Sequence, residues 1–276
     1  MTRSTSLAVN RLFLLMGLTV FIVVVQGLAL ALRTNMSRWL PKIWLGWCRR
    51  TIGMDVTVAG GSLVEGPALF VSNHISYLDV IAIGSIIDGS FVSRADIRQW
   101  PIFGFLATLQ RTVFIERNPR HARQHREELT SRLSSGDRLI FFPEGTSSDG
   151  TTILPFKSSL FSAAELEANR RPVPVQPISI AYTRLDGLPL GRLMRPLFAW
   201  YGDMDFAPHF WQLLGLGRFK VEITVHDAVT LEGFESRKEL ARHCEREITI
   251  GFSRSIAGRG DDTRVLAPPP DATTTA

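Results

Sequence analysis

ALFVSNHISYLDVIAIGSII, residues 68–87, passes from a short continuous apolar run into polar residues and then into a helix-like apolar pattern. A run such as 68–72 fits a strand buried on both faces, and it delivers Asn73 and His74 into a loop. The same grammar recurs along the chain. RLIFFPEG, 138–145, is a second apolar strand that stops on Pro143. DVTVAG (55–60), SFVSRADI (90–97), TVFIER (112–117), VPVQPISIAY (173–182) and RFKVEITVHDAV (218–229) also read as strands. Between them, 101–109, 119–136 and 236–248 read as helices, the second closing at Gly136. Short strands alternating with helices predict an α/β fold, a sheet flanked by helices, over residues 55–257. The alternation does not give the strand order. Residues 258–276, rich in Gly, Asp, Pro and Thr, are expected to be a disordered tail.

Upstream, Leu12–Leu32 is a stretch of 21 residues without a charge. As a helix it would span about 30 Å of hydrocarbon, so residues 1–33 are expected to form a transmembrane anchor. A signal-peptide core is shorter. Residues 34–54 follow as an interfacial helical region, interrupted near Pro41. Arg33, Arg38, Lys42, Arg49 and Arg50 lie there beside Trp39, Trp44 and Trp47, with no acidic residue between Arg33 and Arg50. Basic residues beside tryptophan suit an anionic lipid surface rather than nucleic acid. The net charge of +5 is thus concentrated next to the apolar segment. By the positive-inside rule, the main domain faces the cytoplasm. Cys48 and Cys244 cannot make a disulfide framework or a zinc site.

Four constellations carry candidate chemistry. In NHISYLD, Asn73, His74 and Asp79 follow a strand. A neutral imidazole takes a hydroxyl proton near pH 7, and a carboxylate on its far nitrogen fixes the tautomer. Standing alone, such a pair is more often structural. In FPEGTS, Phe142 to Ser147, a strand delivers Glu144, Gly145 and Thr146 into a loop whose backbone N–H groups can meet an anion. Lys157, in the apolar LPFKSSLF, either serves a phosphate or snorkels. In FIER, Arg117 offers a fork that matches phosphate or carboxylate, or forms a surface ion pair with Glu116 as its neighbour. In VPVQPI, Pro174 and Pro177 stiffen a pocket wall. His121 and His125 are spaced like metal ligands, but Arg120, Arg123 and Arg126 crowd that face with positive charge. It reads as a solvated face, and no metal is expected. The aromatic segment 196–219 reads equally as core or as a second contact with lipid.

As a set, these motifs resemble the glycerolipid acyltransferase superfamily, the 1-acylglycerol-3-phosphate acyltransferase group. Its NHxxxxD pattern is matched by His74 and Asp79, and FPEGT by Phe142–Thr146. Arg117 is similar to the family's acceptor arginine, and Pro174–Pro177 to its proline motif. All four occur in family order over residues 55–182. The resemblance implies O-acyl transfer to a lysolipid hydroxyl, an acyl-CoA or acyl-carrier-protein donor, no further cofactor, and membrane lipids as surroundings. His74 and Asp79 are then catalytic; Asn73, Arg117, Glu144, Gly145, Thr146, Lys157, Pro174 and Pro177 bind substrate. The pattern departs near the acceptor motif, where Arg111 stands in place of a glycine and Glu116 in place of aspartate. These two become acceptor-selectivity candidates. The motifs rank 1-acyl-sn-glycerol-3-phosphate first as acceptor and lyso-ornithine lipid, suggested by WYGDM at 200–204, second. A lipid hydrolase and a non-catalytic lipid-binding protein are the readings from other classes. The absence of a Gly-x-Ser-x-Gly elbow argues against an acyl-serine intermediate. The implied location is the bacterial inner membrane.

Overall fold

The computed structural model describes residues 4–116, 122–168, 171–260 and 264–265. The chain begins with two helices, α1 (Thr5–Ala31) and α2 (Met36–Thr51). Then follow β1 (Met54–Gly60), β2 (Ala68–Ser72), α3 (Leu78–Gly84), β3 (Ser90–Arg94), α4 (Phe103–Leu109) and β4 (Val113–Ile115). Next come α5 (Ala122–Ser134), β5 (Arg138–Phe141), a 3-10 segment over Ser158–Glu165, and the short pair β6 (Glu167–Ala168) and β7 (Arg171–Pro172). The long β8 (Val175–Leu185), β9 (Leu188–Pro189), α6 (Phe206–Leu214), β10 (Phe219–Val225), α7 (Arg237–Ile256) and β11 (Arg264–Val265) complete it.

Among the described residues, the main sheet runs β11-β1-β10-β8-β2-β5-β3-β4, with β9 on β8. From β8 through β2, β5 and β3 to β4 the pairing is parallel. β8 meets β10 antiparallel. β2 sits at the centre, which accounts for its unbroken apolar run. Ala68 and Phe70 point into one hydrophobic cluster with α2 and α3, while Leu69 and Val71 point into a second with α5 and α7. Truncating Phe70, fully buried, costs about 3–5 kcal/mol by loss of contacts and the cavity left behind. Cys48 and Cys244 are free and lie in different clusters. Of the expected tail, Arg264 and Val265 pair with β1 instead, and the rest beyond Gly260 lies outside the described residues.

The expected break at Pro41 does not occur: α2 is continuous through it. Pro41 has no N–H to give Ser37 O, and a carbonyl left so would be costly in an apolar setting. Gln26, the most polar residue of the apolar segment, supplies the donor. Its Nε2 donates to Ser37 O at 3.0 Å and to Leu109 O at 2.8 Å. At the other end of α1, Arg11 is buried and donates to Leu214 O and Leu216 O at 3.1 and 2.6 Å, capping α6. The apolar helix is thus docked on the sheet domain near both ends. Its outer face leaves Phe13, Val20, Phe21, Val24 and Leu28 exposed.

Candidate active site

The loops after β2 and β5 meet over the C-terminal ends of these parallel strands, where open α/β sheets place ligands. Asn73 is buried and uses both ends of its amide on β8. Nδ2 donates to Ile180 O at 3.0 Å, and Oδ1 accepts from Ile180 N at 2.9 Å. Its amide ties β2 to β8 and the side chain is buried, so the expected substrate contact is corrected to a positioning one. The next residue, His74, remains partly exposed.

His74 Nδ1 lies 2.8 Å from Asp79 Oδ2. The same oxygen accepts from Ile75 N and Ser76 N at 2.6 and 2.9 Å. Asp79 Oδ1 accepts from Tyr182 Oη at 2.8 Å. Four hydrogen bonds therefore satisfy a carboxylate with no exposed surface. An ionised carboxylate only accepts, so Nδ1 carries the proton and Nε2 presents a lone pair. The imidazole stacks on Phe142, centroids 4.0 Å apart at 13°.

Glu144, also buried, holds the backbone around this dyad. Oε1 accepts from His74 N at 2.7 Å and Oε2 from Leu154 N at 2.9 Å. Burial pushes this carboxyl up to about 8, against the pull of both N–H groups. Its expected role in binding substrate is corrected: both oxygens face backbone. Ser148 N donates to His74 O at 2.8 Å, so the β5 loop grips both sides of His74's backbone.

Gly145 (φ +71°) and Lys157 line a cavity of about 810 Å³ that also reaches Glu116 and Phe142. The Lys157 ammonium lies 2.7 Å from where a Cβ on Gly145 would stand; that flexible side chain could move aside, so it is the positive φ that favours glycine here. The backbone N–H of Lys157 donates to Pro143 O, while its ammonium makes no hydrogen bond or ion pair among the described residues; Thr146, next in sequence to Gly145, is exposed. Phe142 stands between the cavity and the imidazole. Pro177 is paired with Val71 of β2 inside the sheet, and Pro174 O accepts from Leu69 N; both shape the strand end. Glu116 N donates to His125 Nε2, so His125 fastens α5 to the end of β4 rather than facing solvent. Arg117 and His121 lie outside the described residues.

Arg111 is not part of this site. It precedes β4, at the opposite ends of the parallel strands from His74, and its Nη2 pairs with Asp137 Oδ2 at 2.8 Å. Its expected role in acceptor choice is corrected accordingly. Tyr182 went unread in the sequence, although a buried tyrosine ending the ISIAY alternation must find a partner for its hydroxyl. The aromatic segment wraps the same loop. Trp200, Phe206, His209 and Phe210 surround Tyr77, and Tyr77 Oη lies 3.1 Å from His209 Nδ1.

A family model described as Acyltransferase matches residues 55–181, from β1 into β8, and so contains both motif loops. A lyso-ornithine lipid O-acyltransferase of Brucella abortus is 38% identical over 250 residues, 89% of this chain and 93% of that protein. The chain belongs to the glycerolipid acyltransferase superfamily. Its activity is of the lysolipid acyltransferase type. Within the superfamily, a 1-acyl-sn-glycerol-3-phosphate acyltransferase of Neisseria gonorrhoeae is 29% identical over 175 residues, 62% of this chain and 64% of that protein. The crystal structure of the 1-acyl-sn-glycerophosphate acyltransferase of Thermotoga maritima shares the fold. It has a TM-score of 0.61 at 24% identity and covers 89% of this acyltransferase and 96% of that chain.

Proposed function

We propose that this acyltransferase transfers a fatty acyl group to the free hydroxyl of lyso-ornithine lipid. The observation that carries the acceptor is the extent of likeness. The relative bearing that name matches nearly end to end, whereas the relative named for 1-acyl-sn-glycerol-3-phosphate matches over a shorter stretch at lower identity. The order in which the motifs ranked the two acceptors is thereby reversed. The donor is a thioester of CoA or acyl-carrier protein.

In the proposed reaction, His74 Nε2 accepts the proton of the acceptor hydroxyl while that oxygen attacks the thioester carbonyl. Asp79 stabilises the imidazolium that forms. The tetrahedral intermediate collapses by breaking the C–S bond, and the proton passes from His74 to the departing thiolate. Lys157, uncommitted on the cavity rim, Thr146, exposed next to Gly145 in sequence, and Arg117, placed by its motif alone, receive the anionic parts of the substrates.

The exposed face of α1 enters the hydrocarbon of the bacterial inner membrane, with the main domain in the cytoplasm. A helix of 27 residues with mean hydropathy of 2.5 over its best window supports the contact, as do the basic residues that follow it. Docking near both ends on one body favours entry from the cytoplasmic side over an isolated crossing. Proteolysis of the C-terminal tail only from the periplasmic side of sealed vesicles would overturn this placement.

The acceptor is tested with purified protein, one labelled acyl donor, and both lysolipids. Faster transfer to lyso-ornithine lipid is expected, and His74→Ala should lower it about 10²–10⁴-fold with the fold intact. Faster transfer to 1-acyl-sn-glycerol-3-phosphate refutes the acceptor. Hydrolysis of the donor without transfer refutes the reaction.

A further inference from the structure

A second cavity, of about 300 Å³, opens at the N-terminal ends of the parallel strands, across the sheet edge from His74. Arg38, Arg111, Asp88, Asp137 and Arg138 line it. Asp137 is buried and gathers three guanidinium groups: Arg111 Nη2 at 2.8 Å, Arg132 Nε at 3.1 Å and Arg38 Nε at 3.8 Å. Among the described residues, the Arg138 side chain makes a single long bond, to Gly66 O at 3.3 Å. Counting Arg132 behind the wall, four arginines face two aspartates, an excess of two positive charges. Gly66 and Gly136 contribute walls without side chains, and a Cβ on either would meet nothing within 4 Å. This leaves room for a compact anion beside forked donors.

The position of Arg38 indicates the source of that anion. On α2, Arg38, Lys42 and Arg49 fall in one row at helical spacing. Beside it runs a second row, Trp39, Ile43 and Trp47, exposed at 41%, 43% and 55%. An exposed apolar row with a basic row at its flank is the pattern of a helix lying in a membrane interface, with its cations at headgroup depth.

We propose that this pocket holds the phosphodiester of an anionic membrane phospholipid that the reaction does not consume. Arg38 and Arg138 grip the phosphate, and Arg111 supplies charge from behind. The inference rests on the membrane-facing placement of α2. Bound there, the lipid fixes α2, and through α2 the domain, at one depth in the bilayer. The site is separate from the acceptor's anion site, since the two lie at opposite ends of the strands.

The test uses full-length protein and flotation with vesicles of phosphatidylcholine alone or doped with phosphatidylglycerol. The wild type should prefer the doped vesicles. In Arg38→Gln/Arg138→Gln the preference should fall by roughly tenfold or more, each surface guanidinium contributing about a factor of five. Arg242→Gln/Arg246→Gln removes the same charge from exposed positions on α7 and should change it far less. Equal losses in the two double variants would reduce the effect to bulk charge and overturn the pocket. No flotation on either vesicle would overturn the membrane placement itself. Protection of the wild type, but not of the pocket variant, against heat by inorganic phosphate without discrimination between vesicles would overturn the lipid and leave a soluble-phosphate site. Should the double variant fail to fold, Arg38→Gln alone, at a side chain 44% exposed, gives the same comparison at one charge.

Discussion

Asp79→Asn separates the electrostatic part of the proposed mechanism from its geometry. Oδ2 of Asp79 faces three donors: His74 Nδ1, Ile75 N and Ser76 N. An amide nitrogen cannot occupy that position, so the asparagine oxygen must take it. Its Nδ2 then faces Tyr182 Oη, which can accept as well as donate. The substitution therefore keeps the loop and the imidazole tautomer and removes only the charge. Two unit charges about 4 Å apart interact by about 4 kcal/mol at an effective dielectric of 20, and the partly exposed imidazole lowers that figure. A loss of 2–4 kcal/mol in stabilising the imidazolium corresponds to roughly 30- to 1000-fold in kcat. The assay is acyl transfer at saturating acceptor, with the melting temperature measured in parallel. Turnover within about threefold of wild type in a folded variant would refute the role of the Asp79 charge. A large loss accompanied by unfolding would refute the claim that the amide fits.

Three further outcomes follow from the same geometry. Tyr182→Phe keeps the stack on Phe198 but takes one donor from Asp79; kcat should fall about tenfold with acceptor KM unchanged, and a KM effect alone would remove Tyr182 from the dyad. Glu144 binds a proton in the folded state that the unfolded chain releases near its ordinary value of 4.5, so its contribution is fully present below that pH and is lost as pH rises through about 8; melting curves across that window should show the decline in the wild type and a flatter limb in Glu144→Gln, and equal slopes would contradict it. Gln26→Leu leaves Ser37 O and Leu109 O without donors and should cost about 1–3 kcal/mol; adding Pro41→Ala returns an N–H to Ser37 O and should recover part of it, whereas additive effects in detergent melts would sever the link.

The α/β class was legible because β2 and β5 are central: a strand covered on both faces has no polar face to show, and its run ends where the loop begins. The dyad was legible because His74 and Asp79 are local, five positions apart on a loop and the first turn of α3. Tyr182 reaches Asp79 from β8, and no spacing reports that β8 lies beside β2. Pro41 looked like a break in a helix, and only the bond from Gln26 to Ser37 O shows how the donor it lacks is replaced. Arg111 was misplaced although direction alone would have excluded it. In a parallel sheet, residues before a strand lie at one edge and residues after it at the other. Arg111 precedes β4, while His74 follows β2.

That directional argument also sorts the motif residues themselves. Asn73 and Glu144 were both expected to bind substrate, yet they spend both arms of their side chains on backbone, at Ile180 and at His74 and Leu154. A loop that must hold an imidazole within a few tenths of an ångström needs such internal clamps, because a misplacement of about 1 Å can cost about 100-fold in rate. Among the described motif residues, the groups left for substrate are those with unspent valence: His74 Nε2, the Thr146 hydroxyl and the Lys157 ammonium. Substitutions at Asn73 and Glu144 should accordingly lower kcat together with the melting temperature. Substitutions at Thr146 and Lys157 should change kinetics while leaving the melting temperature in place. A Glu144→Gln variant with a raised KM and unaltered thermal stability would contradict the division, since it would show a carboxylate reaching substrate that the structure turns inward.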